Sequence, residues 1–496
     1  MRFKLQSHIL SPLVAVVLCA IIFAVITLND KPSIVAGVVP HHSVADDMID
    51  NFFIELKKEA PSVKTLVIVG QDHYSQLSTH IVTGQIGKTN YELLEDVKNY
   101  GINDFTVAIG KEHSFTELVP FISQHLPDVS VLPLMHTGQI SKQELDELSQ
   151  FFVEKTDENT VFLVSTDFSH YLHENATRFH DLRTIDIFAN FEEESLPTIE
   201  GDLWQSLYLV RKIAELKGAN QFKLLDYDTT SSYFTETIKD NVGYVSGFFL
   251  KGEMPSTERT ATLIFTGEMN FDSAKYGDDK YYPFKKVHHL LRGVDLAVGH
   301  LDDTSVSAET AMIFKEVYFS NLSIQNADAE TLENLKKVDL KVMPYQTTIG
   351  GKSVALLSYF SEDTEFNENQ MLAEIAEASS QNNFVAVQID WEEMGNKTHT
   401  LDQQKQAYAM IDNGADLIIG QGSSEIQDHE MYNGKAIFYS IGKLIPTSQD
   451  LSKESLAIGV ALENEATEIF VFSLVLNDGQ VEMSYTSNRS EIFTLE

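Results

Sequence analysis

The sequence predicts an α/β protein built from two α/β domains, and three observations carry that expectation. Strand-like runs alternate with helical patterns along most of the chain, the signature of largely parallel sheets. At 496 residues the chain is too long for one hydrophobic core. Three buried-type strands also end in histidines. Ile34–Val39 leads to Pro40-His41-His42, Leu66–Gly70 leads to Gln71-Asp72-His73, and Val161–Val164 leads to Ser165-Thr166-Asp167-Phe168-Ser169-His170. Ligands of open α/β sheets bind beyond the carboxyl ends of the strands. Histidines and aspartates converging there mark a metal or acid–base site on one rim.

Composition narrows the chemistry. The formal net charge is -37, which argues against nucleic acid, because phosphate binding needs clustered Lys and Arg. An acidic excess instead keeps an exposed protein soluble. The sole cysteine is Cys19. It sits inside an apolar segment, so no intrachain disulfide forms and no folded domain offers a thiolate. Any metal must be held by histidines and carboxylates.

In chain order, residues 1–30 are expected to form a membrane anchor. The apolar run Ile9–Leu28 has about 20 residues, long enough to span a bilayer as a helix. Arg2 and Lys4 precede it and Asp30 follows, which places the amino terminus in the cytoplasm and the bulk of this single-pass chain outside. The alternative is a cleaved signal peptide. Its apolar core is usually shorter, and no small-x-small site precedes Lys31.

Residues 31–252 read as the first domain, with strands at 34–39, 65–70, 129–134, 160–165, 222–228 and 242–250. Helical patterns run over Ala45–Lys58, Ser141–Phe152 and Leu203–Leu216. Residues 253–259, containing Pro255, read as a linker. The second domain, 260–496, repeats the alternation. Its strands are expected at 261–265, 295–298, 353–358, 384–389 and 416–419, its helices over Glu330–Val338 and Asp402–Asn413. Its end reads as β, over 458–462, 468–476 and 481–485. No short-period repeat is visible.

Several motifs occur in order within the first domain: Val38-Val39-Pro40-His41-His42, Gly70-Gln71-Asp72-His73, Glu112-His113-Ser114-Phe115, Leu118-Val119-Pro120-Phe121, Ser165-Thr166-Asp167-Phe168-Ser169-His170-Tyr171 and Asn241-Val242-Gly243-Tyr244. Together they resemble the MEMO family, including its bacterial branch named AmmeMemoRadiSam system protein B, over residues 33–250. That family is similar in fold to class III extradiol dioxygenases, and some members bind iron or copper. The resemblance implies a metal shell containing His41 and His73, with Asp167 and His170 beside it as acid–base groups or as supports of the ligands. Glu112 and His113 match a further motif near the same rim, which puts His113 with the catalytic candidates. His42 remains an alternative to His41. Where the family has Thr-Ile-Cys-Gly, this chain reads Thr198-Ile199-Glu200-Gly201, so Glu200 stands in place of a ligating thiol. Two histidines and a carboxylate suit non-heme Fe(II). The expected cofactor is therefore one transition-metal ion on His41, His73 and Glu200, Fe(II) first, with Cu, Mn or Zn as alternatives. His80, His125 and His136 read as structural or exposed.

The second domain resembles the CapA family of poly-γ-glutamate synthesis proteins, whose fold is metallophosphatase-like. Phe265-Thr266-Gly267-Glu268-Met269 stands where that family has Gly-Asp, His300-Leu301-Asp302 where it has Asn-Leu-Glu, and Ser320-Asn321-Leu322-Ser323 where it has Ala-Asn-Asn-His. Asp390-Trp391 replaces His-Trp, Gly420–Glu425 replaces a His-rich run, and Tyr439-Ser440-Ile441-Gly442-Lys443-Leu444 matches Tyr-Ser-Leu-Gly-Asn-Phe. A two-metal phosphoesterase centre needs several imidazole and carboxylate ligands. The remnant Glu268, His300, Asp302 and Asp390 lacks most of the imidazoles, and it reads as a non-catalytic copy kept for binding or shape. The alternative is a rebuilt carboxylate site for Mg²⁺ or Ca²⁺.

Two functions follow from these expectations. One is a metal-dependent redox or dioxygen enzyme, with His170, oriented by Asp167, moving protons. The other is a non-enzymatic cell-surface scaffold whose cleft takes a small molecule or peptide and whose second domain docks on a cell-envelope partner.

Overall fold

A computed structural model describes residues 33–253, 258–301, 305–361, 363, 365–391, 395–447, 452–484 and 491–495. The expected anchor, residues 254–257 of the expected linker, and Asp302 lie outside the described residues. Among the described residues, no helix is long and apolar enough to cross a membrane.

Nine strands between residues 34 and 250 form one sheet: β1 (Ile34–Val39), β2 (Thr65–Gln71), β3 (Ile81–Thr83), β4 (Asn103–Asp104), β5 (Ser130–His136), β6 (Thr160–Ser165), β7 (His170–Leu172), β8 (Gln221–Thr229) and β9 (Asn241–Leu250). Their order is β4-β3-β5-β2-β6-β1-β9-β7, with β8 also on β9. The centre, β5-β2-β6-β1, is parallel, as is the edge pair β3–β4. β3 joins it antiparallel to β5, and β9 antiparallel to β1, with β7 and β8 antiparallel to β9. The sheet is thus more mixed than expected, because hydrophobic periodicity reports burial and not strand direction. β1 and β6 are buried at every position, as central strands covered on both faces must be. Val39 pairs with Ser165 and Gln71 with His136, so the carboxyl ends of the four central strands share one edge.

Helix α1 (Asp46–Glu59) covers one face of this sheet. The other face is covered by α2 (Lys142–Lys155), which opens with a capping box between Ser141 and Glu144, and by α4 (Trp204–Leu216). Between α2 and α4 runs α3 (Glu174–Asn190), which the sequence pattern does not reveal. Thr177, His180, Asp181, Arg183 and Thr184 are buried on it alongside Ala176, Phe179, Ile187 and Phe188. A helix buried on several sides shows no apolar stripe.

The second domain is a pair of stacked sheets. The first contains β10 (Ala261–Met269), β11 (Leu296–Leu301), β12 (Asn321–Ile324), β13 (Lys341–Val342), β20 (Lys443–Ile445), β21 (Glu454–Leu462), β22 (Thr467–Asn477), β23 (Gln480–Met483) and β24 (Ile492–Leu495). The second contains β14 (Tyr345–Ile349), β15 (Lys352–Phe360), β16 (Phe384–Asp390), β17 (Leu417–Gln421), β18 (His429–Tyr432) and β19 (Lys435–Phe438). Leu263, Phe265 and Val298 of one sheet meet Leu356, Phe384 and Leu417 of the other. Helices α5 (Glu368–Gln381) and α6 (Leu401–Asp412) cover the outer face of the second sheet. The outer face of the first sheet receives α3, whose Ala176 and Phe179 enter the same apolar cluster as Ile264, Phe470 and Phe472.

A buried polar seam flanks this contact. Asp295 accepts from Arg183 Nε at 2.9 Å and from Arg259 Nη2 at 2.8 Å, and Asp186 accepts the Thr260 N–H at 2.8 Å.

Candidate metal centre

The rim of the first sheet gathers three imidazoles. His41, His73 and His113 each offer one ring nitrogen, and these lie within 4.8 Å of one another. Their ring centroids are 5.2 Å (His41–His73), 4.5 Å (His41–His113) and 4.0 Å (His73–His113) apart. His41 is buried, whereas His42 is exposed and accepts the Val44 N–H to cap the next turn. Of the two adjacent histidines, His41 is the one in the cluster.

Each imidazole is held from behind. Glu112, the cap of the short helix His113–Thr116, accepts the His73 backbone N–H at 2.9 Å and lies 2.7 Å from His73 Nδ1. His113 Nδ1 lies 3.1 Å from the same carboxylate, without hydrogen-bond geometry. Ser165 Oγ lies 3.3 Å from His41 Nδ1. Carboxylate or hydroxyl partners on the far nitrogen are how proteins fix the tautomer of ligating histidines. Burial disfavours ionisation of Glu112, but contacts with His113 and His73 outweigh it and hold its carboxyl well below the usual range. Burial also opposes protonation of His73, yet Asp202 and Glu112 raise it to about 9. Burial dominates at His41 and lowers it to about 4, with the charge of Asp202 opposing.

Asp202 is the hub of the acidic side. Its carboxylate lies 3.5 Å from His41 Nε2, 3.9 Å from His73 Nε2 and 3.6 Å from His170 Nε2. It accepts from Gln71 Nε2 at 2.8 Å and from the Asp167 N–H at 3.0 Å, and Gln71 also touches His73 Nε2. Asp167 accepts the His41 N–H at 3.1 Å. Burial and the charge of Asp202 push the Asp167 carboxyl up, whereas the surrounding histidines keep Asp202 ionised against its burial. Exposed Tyr74 and Tyr171 flank the mouth next to His73, His113 and His170.

Two expectations are corrected. Glu200 does not meet the histidines: its Oε1 pairs with Arg292 Nε at 3.3 Å, and its neighbour His180 lies in the interdomain seam. The third imidazole is His113, and beside the expected Asp167, whose Oδ2 lies 3.6 Å from His41 Nε2, stands a second carboxylate, Asp202, which sequence reasoning missed. Gly201, between Glu200 and Asp202, has φ +146°, a turn in which consecutive carboxylates face different partners. The carboxylate 3.6 Å from His170 Nε2 is Asp202, while Asp167, expected to orient His170, stays beside the shell: it accepts the His41 N–H and its Oδ2 lies 3.6 Å from His41 Nε2. His136 is buried against Ser206, His80 pairs with Glu144 and His125 with Asp50.

The remnant of the second domain is paired within itself. Lys443 Nζ lies 2.7 Å from Glu268 Oε1, across the β10–β20 register that sets these residues side by side. His300 Nε2 lies 3.1 Å from Asp390 Oδ2, and its Nδ1 lies 3.0 Å from Ser323 Oγ. Among the described residues, the rim of the first sheet carries the one group of three or more potential ligands.

Comparisons follow this division. Residues 22–248 match the family described as Memo-like protein, and residues 342–448 match Bacterial capsule synthesis protein PGA_cap. A MEMO1 family protein of Caldivirga maquilingensis is 26% identical over 256 residues, covering 45% of this chain and 87% of that protein. A MEMO1 family protein of Methanopyrus kandleri is 25% identical over 247 residues, covering 45% and 86%. PGA biosynthesis protein CapA of Bacillus subtilis is 41% identical over 252 residues, covering 49% of this chain and 61% of that protein. The chain therefore spans less than two thirds of that CapA relative.

Proposed function

We propose that this chain, a Memo-like domain followed by a PGA_cap domain, is a membrane-anchored, extracytoplasmic protein with one mononuclear metal site and a non-catalytic second domain. The observation that carries the reading is the convergence of His41, His73 and His113, with ring nitrogens within 4.8 Å. The donor set fits a transition metal, since Glu112 and Ser165 engage the Nδ1 atoms of His73 and His41 and leave the Nε2 atoms on the side of Asp202. Three imidazoles suit Zn, Cu, Fe or Ni, so the preference for Fe(II) that rested on a Glu200 ligand no longer holds. Iron stays among the candidates with copper and zinc, and manganese, which favours harder oxygen ligands, recedes.

A bound ion there would supply Lewis acidity, and with iron or copper also redox chemistry. Asp202 orients the imidazoles and faces His170. His170, part-exposed at the mouth, stands between solvent and Asp202, where a proton can be relayed. The second domain serves binding or shape, because Glu268 and Asp390 are engaged by Lys443 and His300. The apolar run Ile9–Leu28, after Arg2 and Lys4, supports the anchor.

The test is metal analysis of the full chain, purified anaerobically, beside a His41→Ala/His73→Ala variant. One equivalent of transition metal, absent from the variant, is the expected result. A wild type that cannot be loaded would turn the reading to a metal-free cleft binding a small molecule or peptide.

A further inference from the structure

The loop that carries Asp202 is held from outside the first domain. Two residues before Asp202, Glu200 Oε1 lies 3.3 Å from Arg292 Nε. The next residue, Gly293, has φ +75°, and a Cβ there would fall 2.9 Å from Glu200 Cγ and 3.0 Å from His180 Nδ1. The backbone of the second domain thus lies against this loop. Asp295 then takes Arg183 Nε at 2.9 Å, and Arg183 donates onward to Thr198 Oγ1 at 2.9 Å and to the Gly293 carbonyl at 3.1 Å. The stretch 292–295 therefore braces Glu200 directly and Thr198 through Arg183, just ahead of the turn at Gly201.

The other loop that delivers a site residue is tied to the same seam. Ser169, next to His170, donates its N–H at 3.0 Å and its hydroxyl at 2.7 Å to Asp181 on α3. That helix is also the one packed on the second domain through Phe179. An interface serving only to join two domains has no reason to bear on both loops beside the imidazoles.

We propose that the second domain positions the carboxylate hub of the metal centre, with Arg292 acting through Glu200 as a positioning residue for Asp202. The proposal rests on the metal-site reading above. Loops are the mobile part of an α/β fold. A loop released on one side lets Asp202 leave its station near His41, His73 and His170. Loss of outer partners of ligating histidines typically costs 10–100-fold in metal affinity. Arg292 acts one step further out, so the low end of that range is expected.

The experiment titrates Co(II) into the metal-free full chain and follows its visible absorption and its affinity by competition. Arg292→Ala and Glu200→Gln are expected to bind Co(II) about 10-fold more weakly, with a changed absorption envelope and a thermal midpoint near wild type. Arg292→Lys restores most of the affinity. The control is Arg178→Ala, which removes an exposed ion pair to Glu468 across the same domain contact, 3.1 Å long. It should leave affinity and spectrum unchanged. Wild-type affinity and spectrum in both Arg292→Ala and Glu200→Gln would overturn the positioning role and leave the metal site standing. Equal weakening by Arg178→Ala would overturn it too, since any loosening of the contact would then suffice. A wild type that takes up no metal would overturn both readings.

Discussion

Phe179 of α3 packs its ring 5.1 Å from that of Phe470 on β22, so a helix of the first domain completes the core of the second. Phe472, on the same face of β22, lies 5.6 Å from it, and Gly459 leaves room for the ring. Phe179→Ala removes a fully buried aromatic side chain and is expected to cost about 3–5 kcal/mol. The loss falls on the contact between domains. Denaturant unfolding should change from one transition toward two, which separate probes of Trp204 and Trp391 would resolve.

Glu112→Gln keeps the shape of the side chain and removes the charge that faces His73 and His113. Metal affinity is expected to fall about 10–100-fold, read by competition with a chromophoric chelator. His113→Ala, which deletes an imidazole of the cluster, should fall further than Glu200→Gln. The reverse order would restore Glu200 as a ligand.

Burial lowers His136 to about 4, while the charge of Asp202 pulls the other way. The unfolded chain, with this imidazole near its ordinary value of about 6.5, binds more protons than the folded one between those limits. The stabilising contribution of neutral His136 is complete above about pH 6.5 and is lost as the pH falls toward about 4. Urea unfolding of metal-free wild type and His136→Gln, near neutrality and near pH 5, should show the wild type losing more on acidification. The difference is bounded by about 1.4 kcal/mol per pH unit for one group.

Gly293→Ala places a methyl group against Glu200 and His180 at a left-handed backbone position. Overpacking of this kind costs about 1–3 kcal/mol. The urea midpoint should drop, and because the new group presses on the Glu200 loop, Co(II) affinity should drop with it.

Much of this architecture was legible in the chain. The run Ile34–Val39 coincides with β1 and Thr160–Ser165 with β6, because strands covered on both faces need unbroken apolar runs. The matches to the Memo-like and PGA_cap families agree with the two resemblances. Helix α3 was not legible. Its buried Asp181 and Arg183 are satisfied by Ser169, Tyr227, Thr198 and Asp295, partners that only the folded molecule brings near. The exchange of Glu200 for Asp202 was hidden for the same reason. Of two carboxylates in one irregular loop, Asp202 meets Gln71 and the Asp167 N–H while Glu200 faces Arg292, partners far apart along the chain. Strand direction was equally silent, so the antiparallel flank of the first sheet emerges only from β9 pairing with β1, β7 and β8.

The cation facing Glu268 is a side chain of the same polypeptide. Lys443 cannot be stripped by a chelator, diluted away or exchanged for a competing ion. Chelation that emptied the proposed centre of the first domain would therefore leave the charge balance around Glu268 as it was.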